Sequence, residues 1–103
     1  MVTKESAIDA ARSFVEDCEK AGLKFYKVLL FGSAAAGKIH DGSDVDILLI
    51  SDQFGDNVFE NLKLYSKINI RYPAIETHPY PTSTYIQGNE FINGLLSDSI
   101  EIR

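Results

Sequence analysis

With 103 residues, 45% of them hydrophobic, the chain holds enough apolar material for one compact domain and little for a second substrate-binding lobe. Ten Lys and Arg against fifteen Asp and Glu leave a net charge of −5, and the basic residues are scattered, which argues against an extended nucleic-acid groove. A lone cysteine, Cys18, excludes an internal disulfide, no apolar run approaches membrane-spanning length, and the N-terminus lacks a signal-peptide core, so a cytoplasmic setting is expected.

Residues 3–21 read as a helix, because Ile8, Ala11, Val15 and Cys18 recur at helical spacing opposite a charged face and Gly22 supplies a stop. Residues 24–31, ending in Val28-Leu29-Leu30-Phe31, read as the first strand. Residues 44–51 read as the second, after a turn at Asp41-Gly42-Ser43. Residues 55–67 are expected to form a long second helix with Val58, Leu62 and Tyr65 on its inner stripe. Residues 68–80 suggest an irregular third strand, interrupted by Pro73 and ended by Pro79 and Pro81; a strand carrying proline belongs at a sheet edge. Pro81-Thr82-Ser83 opens a last helix reaching about Leu96, with Phe91, Ile92 and Leu95 inward, and residues 99–103 are left as a short extended tail. The order helix, strand, turn, strand, helix, strand, helix predicts a single α/β domain over residues 1–103, a small mixed sheet of three or more strands flanked by helices.

Chemistry concentrates between the first two strands. Gly32-Ser33 follows one buried-strand run, and Asp44-Val45-Asp46 leads into the other, Ile47-Leu48-Leu49-Ile50. Side chains two apart on a strand share a face, so the two carboxylates converge while Val45 and Ile47 point the other way. Two like charges that close repel, and a hard divalent cation such as Mg²⁺, which favours one or two carboxylates plus phosphate oxygens, removes the penalty. A Gly-Ser turn with exposed backbone N–H groups is suited to cradling those phosphates. The segment Gly32-Ser33-Ala34-Ala35-Ala36-Gly37-Lys38 also fits most of a P-loop, but Ile39 replaces the Mg²⁺-binding hydroxyl. The five residues from Ile39 to Ser43 also leave barely one helical turn before the next strand.

The run from Phe31 to Asp46, Gly-Ser followed after ten residues by Asp-x-Asp, resembles the signature of the DNA polymerase beta-like nucleotidyltransferase superfamily, and most of all its minimal nucleotidyltransferases. The resemblance implies the nucleotidyltransferase fold and transfer of AMP from ATP to a hydroxyl acceptor, assisted by two Mg²⁺ ions. Asp44 and Asp46 would be the metal-binding and catalytic carboxylates, with Glu76, in Ala74-Ile75-Glu76-Thr77-His78, completing the set as a ligand or base; family members often carry Asp there. Gly32, Ser33, Lys38 and Ser43 fall to nucleotide binding. Many relatives carry an arginine in the span occupied by Ala34-Ala35-Ala36, which turns attention to Lys38 as a phosphate contact, although an exposed surface lysine is an equal reading.

Minimal nucleotidyltransferases are frequently paired with a small helical partner of HEPN type, which implies a toxin–antitoxin role in which a partner hydroxyl receives AMP; self-association would also supply a second wall for the cleft. Alternatives are a subunit modifying a small aminoglycoside-like hydroxyl compound, and a non-catalytic antitoxin that acts by covering its partner. Simpler roles compete at single positions: an N-cap for Ser33, helix caps for Asp52 and Asp56, and surface or structural positions for His40 and His78. His78, two residues beyond Glu76, would share its face. Cys18 reads as a core residue, and Tyr65, Tyr72, Tyr80 and Tyr85 as core or rim packing.

Overall fold

The computed structural model describes residues 3–37 and 44–103. Helix α1 (Lys4–Lys20) opens on a capping box in which Ser6 N donates to Thr3 Oγ1 (3.0 Å) and Thr3 N donates to Ser6 Oγ (2.8 Å). It closes with Leu23 N bonding to Cys18 O and Gly22 N to Glu19 O, the paired bonds of a Schellman end. Its inner face is Ala7, Ala11, Phe14, Val15 and Cys18, with Ile8 packed at the margin. Strand β1 (Lys27–Phe31) is shorter than expected and runs directly into α2 (Gly32–Ala36), followed by β2 (Val45–Ser51).

The four-stranded mixed sheet has the order β3-β2-β1-β4, with β3 spanning Ile75–Pro81 and β4 Ile100–Glu101. β2 is central, antiparallel to β1 and parallel to β3. It is buried along both faces from Ile47 to Ser51, which is why it reads as an unbroken apolar run rather than an alternating one. One face, carrying Val28, Leu30, Val45, Ile47, Leu49 and Ile75, packs on α1, α2 and Tyr65. The other carries Leu29, Leu48 and Ile50 and is covered by Ile92, with Phe31, Tyr80, Tyr85 and Leu95 around them. β3 lies at the edge, where the missing N–H groups of Pro79 and Pro81 do least harm to the ladder. No helix among the described residues is long and apolar enough to cross a membrane.

Four expectations are corrected. The long helix over 55–67 is two short ones, α3 (Val58–Lys63) and α4 (Ser66–Asn69). Asn61, buried, accepts from Gly55 N and donates to Gly55 O (both 2.8 Å), clamping the preceding loop. Tyr65 leaves helical geometry and turns fully into the core, where its hydroxyl bonds Thr77 Oγ1 at 2.8 Å. Val58, expected inward, is 54% exposed. The third strand contracts to β3, because Ile68 and Asn69 belong to α4 and turn bonds such as Arg71 N to Ile68 O, Tyr72 N to Asn69 O and Ile75 N to Tyr72 O carry the chain from there to Ile75. The last helix divides into α5 (Thr82–Gln87) and α6 (Glu90–Leu95): Gly88 takes φ +81° and Asn89 caps α6 by accepting from Ile92 N at 2.8 Å. The extended tail is paired as β4, opposite Leu29 and Leu30 of β1.

Two measurable consequences follow from this core. Asn61→Ala strands both polar groups of Gly55 and is expected to cost about 2 kcal/mol, read as a lower urea midpoint at unchanged slope. Burial also pushes the Cys18 thiol up to about 12 and the Tyr65 hydroxyl up to about 12, from ordinary values of 9.0 and 10.0. Between the ordinary and raised values the folded protein keeps protons that the unfolded chain has released, so stability is fully present below about pH 9 and declines as pH rises toward 12. Urea unfolding across that window should show a steady fall in midpoint, shallower in a Cys18→Ala/Tyr65→Phe variant.

Candidate functional site

The β1–β2 hairpin and the β2–β3 pairing together place the polar groups. Asp46 is opposite Phe31 on one side and in register with Glu76 on the other, two positions before Leu48 and His78, which also pair. Asp46, Glu76 and His78 therefore share one face of the sheet. One ligand atom from each lies within 4.8 Å of the others. Asp46 and His78 are half-buried and Glu76 is exposed. His78 Nε2 stands 3.6 Å from Asp46 Oδ1, too far for a hydrogen bond, and has no hydrogen-bond partner among the described residues although the atom is buried.

Gly32 is required here on two counts. Its φ is +73°, a conformation side chains rarely adopt, and a Cβ built on it would stand 2.7 Å from Asp46 Oδ2. The Asp46 carboxylate thus lies directly against the bare backbone that begins α2. Phe31 occupies the cap position of that helix and Gly32 its first turn, so Ser33 is inside the helix and is not its N-cap. Ser33 is partly buried; Ala34 and Ala35 anchor α2 in the core. The antiparallel β1–β2 register also disposes of the P-loop alternative, whose strand–helix–strand crossover makes its two strands parallel.

Aromatic rings wall the histidine. Phe31 and Phe91 have centroids 5.1 and 5.6 Å from the His78 ring, and Tyr80 stacks on Phe91 at 6.0 Å. A groove of about 460 Å³ beside Gly32 is bordered by Phe31, Ala36, Phe91, Gly94 and Leu95. A hollow of similar size, about 470 Å³, lies at the far end of the hairpin against Lys24, Tyr26 and Asp52, and holds no comparable group of donors.

Of the expected site residues, the structure brings together Asp46, Glu76 and Gly32, with Ser33 in the next position of α2. Asp44 is exposed, one residue ahead of β2, and is not one of the three clustered ligands. Lys38 and Ser43, like His40 and the 41–43 turn, lie outside the described residues. His78, for which the sequence favours a surface or structural place, does share the face of Glu76 as its spacing of two implies. Nothing in the sequence pattern pointed to Phe91 as its ring partner. Two carboxylates, an imidazole with an unsatisfied nitrogen and a backbone with no Cβ in the way form a donor set that suits a divalent cation.

Residues 11–77 match the model of a family described as a nucleotidyltransferase domain. The matched span runs from α1 into β3, includes Gly32, Ser33, Asp44, Asp46 and Glu76, and stops one residue short of His78. No curated protein matches the chain. Among solved structures, a candidate nucleotidyltransferase from Sulfolobus solfataricus superposes with a TM-score of 0.71, covering 95% of this chain and 80% of that one at 22% identity, a likeness of fold.

Gly32→Ala is expected to lower stability by about 1 kcal/mol and to drive the Asp46 carboxylate out of place. Titration with Mn²⁺, followed by its water-proton relaxation, should then show at least tenfold weaker binding than the parent protein, while Gly55→Ala, which meets nothing within 4 Å, leaves binding unchanged.

Proposed function

Because the chain belongs to the nucleotidyltransferase domain family, we propose that it transfers AMP from ATP to a hydroxyl acceptor, with Mg²⁺ as the physiological starting point for its metal. The observation that carries this reading is the in-register Asp46–Glu76 pair, whose Asp46 carboxylate lies against the Gly32 backbone. Asp46 and Glu76, with Asp44 from the approach to β2, are the residues that would hold divalent cations. Such cations, when bound, neutralise phosphate oxygens and lower the barrier to attack by a hydroxyl.

The chain's own groups do the positioning. Gly32 leaves room for the Asp46 carboxylate beside the backbone, and the Ser33 hydroxyl and the first N–H groups of α2 hold the β- and γ-phosphates. Glu76, exposed at the sheet edge, takes the acceptor proton. The acceptor oxygen forms its bond to the α-phosphorus as the bond from that phosphorus to the bridging oxygen breaks, and pyrophosphate leaves with the electron pair. Orientation and charge neutralisation, rather than a covalent enzyme intermediate, account for the acceleration.

The acceptor, in this proposal, belongs to a small helical partner of HEPN type, to which the chain stands as antitoxin. The sheet face bearing Asp46 and Glu76 would form one wall of a cleft, and a partner presenting a hydroxyl would supply the other. Co-expression with the product of the adjacent gene, followed by intact-mass spectrometry, is expected to show one AMP added per modified partner residue and none with Asp44→Ala/Asp46→Ala. An unmodified partner, together with no pyrophosphate release toward any hydroxyl acceptor, would overturn the reading.

A further inference from the structure

We propose that His78 is a protein ligand of the metal centre, and that the resulting carboxylate–imidazole set selects a first-row transition ion, Mn²⁺ or Zn²⁺, over Mg²⁺. The inference rests on the nucleotidyltransferase reading for the metal's location, and adds a residue that lies beyond the matched family span.

Four observations converge on it. Ligand atoms of Asp46, Glu76 and His78 lie within 4.8 Å of one another. Two ligands of a single ion, each about 2.1 Å from it, stand at most about 4.2 Å apart, so small side-chain rotations close the set. His78 Nε2 is buried without a hydrogen-bond partner among the described residues, and a buried ring nitrogen in that condition lacks the interaction that would offset its desolvation. The nearest carboxylate oxygen, Asp46 Oδ1 at 3.6 Å, is too far to satisfy it directly and well placed to share an ion with it. The imidazole is also held: Phe31 and Phe91 pack against it, so little orientational freedom is left to lose on coordination.

The choice of ion follows from the donors. Carboxylates alone suit Mg²⁺ and Mn²⁺, whereas imidazole nitrogen favours later ions, whose affinity for mixed nitrogen–oxygen sites rises along the transition series. Mg²⁺ prefers to keep its waters and gains little from a nitrogen ligand. A histidine in the centre therefore raises Zn²⁺ affinity most, Mn²⁺ affinity less and Mg²⁺ affinity least.

The test is calorimetric titration of the metal-stripped full chain with Mg²⁺, Mn²⁺ and Zn²⁺, for the parent, His78→Asn and His78→Gln, with circular dichroism to verify folding. Substitutions even behind a ligand weaken metal sites about 10–100-fold, so His78→Asn should lose at least about tenfold toward Mn²⁺ and Zn²⁺ and change little toward Mg²⁺. Nitrogen NMR gives an independent readout: the imidazole resonance absent from His78→Asn should shift on adding Zn²⁺ to the parent. Unchanged Mn²⁺:Mg²⁺ and Zn²⁺:Mg²⁺ ratios in both folded variants, with a resonance that Zn²⁺ does not move, would overturn the inference, and AMP transfer with Mg²⁺ would still stand. Conversely, a His78-dependent preference without transfer to any acceptor would keep the metal assignment and remove the transferase reading.

Discussion

The parallel pairing of β2 with β3 is the constraint on which the site depends. Asp46 and Glu76 are thirty positions apart in the chain, yet the ladder sets them side by side, and a shift of one residue would send Glu76 to the opposite face. That register is held from both faces of the sheet. Beneath it, Ile75 enters the main core and Thr77 bonds the buried Tyr65 hydroxyl; above it, Tyr80 stacks on Phe91. Two carboxylates brought together without a covalent link repel, so packing elsewhere must hold them, and the apolar length of β2 provides most of that packing.

The same strand solves a second problem, how to keep charge at the surface while the backbone bearing it runs through the core. Asp46 is the one partly exposed residue of β2, at the end where β2 is joined to β1 through α2. The register opposite Phe31 brings it against Gly32, so the first residue of α2 and the strand carboxylate share a space that only a glycine leaves free. Strand end, helix start and edge strand meet at this point, and exposed backbone donors stand beside convergent acceptors. That juxtaposition, rather than any large cavity, is what distinguishes this end of the sheet from the rest of the described surface.

The comparison with known proteins sits easily with this division. The family match spans the part of the chain that builds the hairpin, the central strand and the start of β3, and so the residues around the Gly32 turn. The C-terminal α5, α6 and β4 lie beyond it. Those later elements cover the second face of the sheet and supply Phe91, the ring that packs on His78. The structural likeness to the Sulfolobus solfataricus protein covers 95% of the chain, and so takes in most of these later elements as well.

Local pattern alone determined α1, the first two strands, the edge position of the proline-bearing strand and the Gly32-Ser33 and Asp44-Val45-Asp46 motif. Each of these is written in short-range chemistry: an apolar period, a missing N–H, a residue without Cβ, a spacing of two. Tertiary packing decided the rest. Residues 55–67 carry a helical pattern, but the Asn61 clamp and the burial of Tyr65 outweigh the gain from one more helical turn. Residues 99–103 look like a tail until β1 offers an open edge, and His78 looks like a surface histidine until the register sets it beside Asp46 and Glu76. Such outcomes depend on contacts between residues far apart in the chain, whose free energy no local window contains.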